Sequence, residues 1–498
     1  MGGDAVERAY GLLQQGRVEE ALAISAPLAG QADADHDSLV LHSTALNAAH
    51  RPEEALAVNR KAAARFPASG TAWHNLAATL ADLGRGPEAL EALATGFAAG
   101  LDSPLSYQVK ARAHVACGDP AGAEAAYSEA TARAPASAEI AVEQADLLWM
   151  ASGDMAAAQA ELDRAFHAGA PPAPLLLAKA KMLASAGDAE AASALLLRAA
   201  EHLPDDPRLA IGGAQAALEA GRLGDAERLA ERARALVPDE LAATVQFAIV
   251  QLAVGRADLA FGAMRPLFDR HPEDQSVLAW TATAARAAGD PLYRRLCDYE
   301  SMVGVYEVDP PAGWASGRAF LSDLAEALHR HHVMKEHPAQ QSLRHGTQTT
   351  YRLTGSPEPA IRAFFGALDA PVRAHLAKLG AGDDPLRRRN IGDYRIVGAW
   401  SVRLRPGGFH LDHMHHEGWL SSAFYVETPE RALESESREG WLRLGHPPFP
   451  TVPELPAERF VRPLPGRLVL FPSYMWHGTV PFTTDERRTT MAFDLLPG

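Results

Sequence analysis

Glycines recur at Gly16, Gly84, Gly118, Gly153, Gly187, Gly221, Gly255 and Gly289, 34 residues apart with one step of 35 and one double step, in which His50 stands where the missing glycine is due. Five residues after each marked position up to Gly255 comes an alanine: Ala21, Ala55, Ala89, Ala123, Ala158, Ala192, Ala226 and Ala260. Seven residues before comes another small residue, at Ala9, Ser43, Ala77, Ala111, Ala180, Ala214, Ala248 and Ala282; only Asp146 breaks this column. Prolines close several units, at Pro67, Pro135, Pro204, Pro238 and Pro272. A fixed period of this length is the signature of a repeat architecture. Each unit reads as two short helices with a turn at the glycine, where a left-handed or helix-ending backbone costs little. The small residues mark the closest approach of the two helices, and the proline stops the second one.

Three columns agreeing over about eight units resemble the tetratricopeptide repeat, and Trp73-His74-Asn75-Leu76 fits its first-helix pattern. The resemblance implies an all-α superhelix over residues 1–290, with a concave face that takes a peptide or another protein. A rigid spacer or an assembly arm is the competing role. Residues 1–290 carry 23 Lys+Arg against 38 Asp+Glu, a net of −15, whereas residues 291–498 balance 24 against 24. An arm this acidic argues against nucleic acid and anionic membranes, and it fits a basic protein partner or solubility alone. No apolar run is long enough for a membrane span, and the first residues lack a basic-then-apolar signal segment. Cys117 and Cys297 are too few for a disulfide framework or a thiolate zinc site, so a reducing, cytoplasmic location is expected.

The 34-residue rhythm stops after Gly289. Residues 291–310 read as a capping helix and a short strand, followed by a boundary at Pro310-Pro311-Ala312-Gly313-Trp314. A helix is predicted over 316–332, a polar loop over 341–350, and one helix over 358–379 striped by Ile361, Phe364, Phe365, Leu368, Val372 and Leu376. From Asn390 the pattern turns to strands, at 393–405, 418–427, 440–445, 466–472 and 488–495. The organisation expected is a repeat domain at 1–290, a linker with supporting helices at 291–389, and a β-rich core at 390–498.

Twelve of the 20 histidines lie after residue 328, and four of them crowd into Gly407–Trp419: His410, His413, His415 and His416; after the strand at 466–476 comes a distant His477. Non-haem iron takes two histidines plus one more ligand on one face, leaving positions open for substrate and oxygen. Ligands two apart on a strand point the same way. Three such pairs compete: His410 with Asp412, His413 with His415, and His415 with Glu417. Downstream, Leu420, Phe424 and Val426 form an apolar face and Trp419, Ser421 and Tyr425 a more polar one, so odd positions are expected to face the cavity. That favours His413, His415 and Glu417; a bulge at Glu417-Gly418 would reverse it. A loose zinc-scavenging loop is the plainer alternative. Eleven residues past His477, Arg488 and Thr490 would share one strand face, where an arginine fork beside a hydroxyl suits a carboxylate. Arg487 would face the other way.

Residues from about 295 to 498 resemble the 2-oxoglutarate/iron oxygenase family often fused to tetratricopeptide repeats in bacteria, with a prolyl-hydroxylase-like core. The matching stretches are 342–349 (SLRHGTQT), 413–415 (HMH), 419–426 (WLSSAFYV), 466–477 (GRLVLFPSYMWH) and 487–494 (RRTTMAFD). The resemblance implies a multidomain α + β chain: the repeat superhelix, then a double-stranded β-helix (jelly-roll or cupin-like) domain with flanking helices. It implies Fe(II), 2-oxoglutarate and O2, with His413, His415 and His477 as metal ligands and Arg488 as the 2-oxoglutarate anchor. Asp412, Glu417 and His410 remain alternates for the metal, and Thr490 and Tyr425 are weaker partners of the cosubstrate. The superfamily's first pair is His-x-Asp or His-x-Glu, whereas this chain has His-x-His. The expected function is a dioxygenase hydroxylating a peptide or protein side chain brought by the arm. The rivals are a three-histidine, cupin-like dioxygenase without 2-oxoglutarate, and a repeat scaffold with a non-catalytic oxygenase-like domain.

Overall fold

The computed structural model describes residues 2–434 and 436–498. The chain falls into two compact units: Met1–Ile140 with Thr350–Glu358, and Ala141–Thr349 with Pro359–Gly498.

The first unit holds helix pairs such as Gly70–Asp82 with Gly86–Ala98 and Pro104–Ala116 with Pro120–Arg133. Gly16, Gly84 and Gly118 have φ of 72°, 71° and 70°, and His50, standing in for the missing glycine, has φ 56°. The turn therefore demands the left-handed region at every repeat, and histidine meets the demand at some cost. Ala9, Ala21, Ala55, Ala77, Ala89, Ala111 and Ala123 have no exposed surface. A methyl is all that fits where the paired helices close on each other. The excursion 350–358 lies on the Gly84 turn, with the Arg352 N–H donating to the Asp82 carbonyl at 3.3 Å.

In the second unit the same helix pairing runs from Ala138–Ser152 to Gln275–Ala288, with left-handed turns at Gly153, Gly187, Gly221, Gly255 and Gly289. Two antiparallel sheets follow. The larger has the order β1-β7-β4-β9-β3-β2 and the smaller β6-β5-β8. Their strands are β1 Gly304–Glu307, β2 Leu343–Gln348, β3 Tyr394–His410, β4 Leu420–Glu427, β5 Leu442–Leu444, β6 Arg459–Val461, β7 Arg467–Pro472, β8 His477–Thr479 and β9 Arg488–Pro497. Phe364, from the flanking helices, packs against Phe424 at a tilt and against Phe493 edge-on, on the outer side of the larger sheet. The inner side and the smaller sheet enclose a cavity. This is the double-stranded β-helix arrangement behind a helical repeat region.

Two predicted elements differ. The stretch 341–350 is not a loop: its centre is β2, an edge strand on β3. Its polarity is that of an edge facing water, and a bulge at His345, φ 53°, interrupts the register between Arg344 and Gly346. The helix at 358–379 is two helices, Pro359–Ala367 and Asp369–Leu379. Pro371 cannot donate to residue 367 and its ring crowds that carbonyl, so the chain restarts at Leu368. The apolar stripe survives the break, since Ile361, Phe364, Leu368, Val372 and Leu376 are all buried.

The last repeat helix is bonded into the sheet domain. Arg286 donates to the carbonyls of Gly445 and Pro456, both at 2.7 Å, and pairs with Glu458. Trp476 Nε1 donates to Thr283 Oγ1 at 2.7 Å, and its ring meets Trp280 edge-on. These bonds are why repeats past residue 140 and the sheets form one unit. No helix among the described residues is long and apolar enough to cross a membrane.

Candidate metal centre

Between β3 and β4 the chain leaves the sheet, and residues 411–419 are irregular. The odd-face alternation holds within β4, where Ser421 reaches His415 while Phe424 turns to Phe364. It does not extend to 411–417, because no strand runs there. The histidines are placed by separate backbone bonds instead. His413 and His477 exchange N–H···O bonds of 2.9 Å in an isolated bridge, and His415 N–H donates to the Ser473 carbonyl at 3.0 Å.

One ligating atom from each of His413, His415 and His477 lies within 4.8 Å of the others. Each ring is held from behind by an acceptor on Nδ1. For His413 it is the Leu411 carbonyl at 2.8 Å, for His477 the Met475 carbonyl at 2.9 Å, and for His415 the Asp494 carboxylate at 2.7 Å. An acceptor there places the proton on Nδ1 and leaves the Nε2 lone pair free. The Nε2 atoms of His413 and His415 face each other at 3.3 Å. Two lone pairs at that separation with no proton between them call for a cation. Burial and the neighbouring rings push His477 well below the ordinary histidine range and His413 down to about 4, so both rings are neutral, the form that binds metal.

Asp494 is itself fixed by Ser421 Oγ, which donates to its Oδ1 at 2.7 Å and lies 2.8 Å from Ser473 Oγ. In the sequence, residue 494 stands out only as the end of a matching stretch. The signal was available: it is four residues past Thr490 on the same strand face.

Asp412 is turned away from the three rings. It is buried, accepts from Arg443 Nε at 2.8 Å and Nη2 at 2.5 Å, and takes a further contact from His446 at 2.8 Å. This clamp ties the histidine loop to β5, and Gly478 leaves it room, since a Cβ there would meet Asp412 Oδ1 at 2.6 Å. Glu417 is exposed at the cavity edge and His410 lies in its wall, its ring 5.6 Å from that of His413. Neither joins the group of three.

The cavity encloses about 530 Å3, between Trp400, Val402, Phe471, Thr490 and Arg488 of the larger sheet and Leu442 and Thr479 of the smaller. Arg488 is buried, and its Nε has no hydrogen-bond partner. Its guanidinium carbon stands 5.2 Å from the Tyr425 ring centre, and the Tyr425 hydroxyl is likewise without a partner. Burial lowers the arginine from its usual range, and Tyr425 is the one group that pulls it back. A buried cation with no carboxylate beside it fits an anionic ligand. Arg487, next in the chain, is exposed.

Residues 398–494 match a family model described as "Putative 2OG-Fe(II) oxygenase". The matched stretch runs from β3 into β9 and contains the three converging histidines, Arg488 and Asp494. Among solved structures, the chain is similar to PilW, a type IV pilus biogenesis factor, at 21% identity, covering 42% of this chain and 96% of that one, TM-score 0.32. It is similar to pilF of Pseudomonas aeruginosa at 19% identity, covering 42% and 94%, TM-score 0.33. A prolyl-4-hydroxylase of Pseudomonas putida is similar at 16% identity, covering 40% and 96%, TM-score 0.28. Among curated proteins none matches the chain.

Proposed function

We propose that the sheet domain is an Fe(II)- and 2-oxoglutarate-dependent dioxygenase that hydroxylates a peptide or protein side chain, with a partner recruited by the repeat arm. The observation that carries the metal assignment is the convergence of one ring nitrogen from each of three histidines whose Nδ1 atoms all face acceptors. His413, His415 and His477 would hold the ion. Arg488, with Tyr425 and Thr490 beside it, would hold the distal carboxylate of 2-oxoglutarate. Bound there, the iron and cosubstrate supply oxidative decarboxylation to succinate coupled to hydroxylation of a C–H bond.

The chain's own residues do the preparation. Asp494, held by Ser421, fixes the His415 tautomer and strengthens the ring as a donor. Asp412 does not ligate; bonded to Arg443 and His446, it keeps the 411–417 loop at a fixed distance from β5. Trp400, Val402, Leu442, Met414 and Phe471 line the cavity with apolar surface that keeps bulk water from the reacting atoms. A buried guanidinium gains more from a carboxylate than an exposed one does, because little water competes. The recruited partner is basic, in keeping with the net charge of −15 on residues 1–290.

The deciding experiment is an anaerobic titration of the full-length protein with Fe(II) and then 2-oxoglutarate. A weak visible metal-to-ligand charge-transfer band, followed by succinate release on admitting oxygen, is expected. Oxygen consumption without succinate would transfer the site to the three-histidine, cupin-like class. Absence of any Fe(II) uptake would leave the repeat scaffold with a non-catalytic domain.

A further inference from the structure

The one break in the column of small residues has a structural counterpart. Asp146 stands seven residues before Gly153, on helix Ala138–Ser152, and its Oδ1 accepts from the backbone N–H of Ala339 at 2.8 Å. More bonds from the repeats meet the same short segment. Trp149 Nε1 donates to the His337 carbonyl at 2.8 Å, and Ser185 Oγ lies 2.7 Å from His337 Nε2. The N–H groups of Lys335 and Glu336 share the Met150 carbonyl at 2.8 and 2.9 Å. From the sheet side, Arg405 pairs with Glu336 at 2.8 Å. Residues 335–339 are thus a strap, in neither helix nor strand, whose backbone donors are taken up by the repeat helix because no ladder is there to take them. Burial pushes the Asp146 carboxyl up to about 6, against the pull of the Ala339 N–H.

The strap runs straight into the cavity. Gln340, Gln341 and Ser342 are part of its wall. The Ser342 carbonyl accepts from the Leu411 N–H at 2.9 Å, and Ser342 Oγ lies 3.2 Å from His410 Nδ1. The Leu411 carbonyl is the group that holds His413 Nδ1. A continuous set of bonds therefore links a repeat helix to a histidine of the candidate metal centre.

We propose that Asp146, Trp149 and Ser185 are positioning residues for that centre: by fixing the strap they set one wall of the cavity and, through Ser342 and Leu411, the aim of the His413 ring. The inference rests on His413 being a metal ligand. It gives this part of the arm a task in the chemistry besides recruitment.

The test uses the full-length protein and Mn(II), which binds nitrogen and oxygen ligands without turnover. Titration calorimetry on Asp146→Leu/Trp149→Phe is expected to show Mn(II) binding weaker by about tenfold, the scale of losing an outer partner of a metal ligand. Amide exchange should quicken at 340–342 and 411–413. Asp146→Asn keeps a carbonyl oxygen for Ala339 and should bind Mn(II) as the unmodified protein does, which a loss caused by general destabilisation would not reproduce. A folded double variant with unaltered Mn(II) affinity and unaltered exchange at 411–413 overturns the proposal. If the double variant does not fold, Trp149→Phe alone is read by the same two measurements. If the unmodified protein takes up no Mn(II), the metal assignment fails, and exchange at 411–413 still decides whether the strap holds the loop.

Discussion

In the repeats, the residues that decide the structure lie five and seven positions from a glycine. Around the histidines, the deciding partners are far away in the chain: Asp494 is 79 residues from His415, and His477 bridges back to His413. The first kind of order is local and repeated, so each unit depends mainly on its neighbours. The second is assembled once, from strands that meet only when the whole sheet domain has formed. The repeats tolerate small local losses; the metal centre should fail as a unit.

Removing a converging ring should break the comparison most sharply. His477→Ala takes away one of three nitrogens while leaving the backbone bridge to His413 in place, and stoichiometric metal uptake is expected to vanish. Far-UV circular dichroism should keep the helical signal, since the bond to the Gln275–Ala288 helix comes from Trp476 and not from the His477 side chain. Uptake at the unmodified level would remove His477 from the site, and a collapse of the helical signal would mean that the repeats depend on the sheets. His413→Ala and His415→Ala belong in the same class, while His416→Ala, on an exposed ring, should have little effect.

Arg488→Ala comes next. The guanidinium is buried without a carboxylate, so a ligand that pairs with it should lose about a hundredfold in affinity when it is removed, on the scale of a buried charge-assisted contact. Metal binding should persist. Arg487→Ala is the control, because that side chain is exposed. Equal effects of the two on the 2-oxoglutarate requirement would show that the cosubstrate is not held from β9.

Acid should separate the two regions by a smaller amount. His332 and His375 are buried in the sheet domain, and desolvation lowers each to about 3 from 6.5. A histidine kept neutral by the fold binds its proton preferentially in the unfolded chain. Its contribution is therefore complete above pH 6.5 and is lost as the pH falls toward 3, at about 1.4 kcal/mol per pH unit and per ring at most. Urea unfolding followed by tryptophan emission, with seven of the eight tryptophans in the second unit, should show that unit giving way before the helices of the first between pH 6 and 4. A helical transition that moves first would contradict the assignment.

How much of this was readable beforehand follows from the same contrast. The repeat columns predicted the left-handed turns down to the exception, since His50 holds the glycine's backbone conformation. The flanking helices and six of the strands, β1, β3, β4, β5, β7 and β9, were readable from the sequence, whereas the three-residue β6 and β8 were not. The β2 strand was not, because an edge with a bulge carries no alternation. The convergence of the histidines came from pattern and resemblance, but the register argument behind it used a strand that does not reach residue 417. Asp412, spaced like a ligand from His410, is bonded to Arg443 and His446, and nothing local in the sequence announces an ion pair to residue 443. The Asp146 anomaly was visible, but its partner, Ala339, lies 193 residues away. The repeat-to-sheet boundary expected at 290 is a change of rhythm, while bonds such as Arg286 to Gly445 carry the second unit across it.

The smallest expected effect tests the local side of the contrast. Gly221 sits at φ +73°, with nothing within 4 Å of where a Cβ would stand. Gly221→Ala therefore meets no clash, and its cost is the left-handed backbone alone, about 1 kcal/mol. His50 shows that the turn accepts a side chain in that conformation. The loss should appear as a modest shift in the helical unfolding midpoint, with metal uptake and the tryptophan transition of the sheet domain unchanged. A local turn with no bond to the strap or to β5 has no route to the histidines. A drop in metal affinity from this one methyl group would mean that the repeats are coupled to the centre through their stacking as a whole, and not through the few bonds that reach residues 335–339.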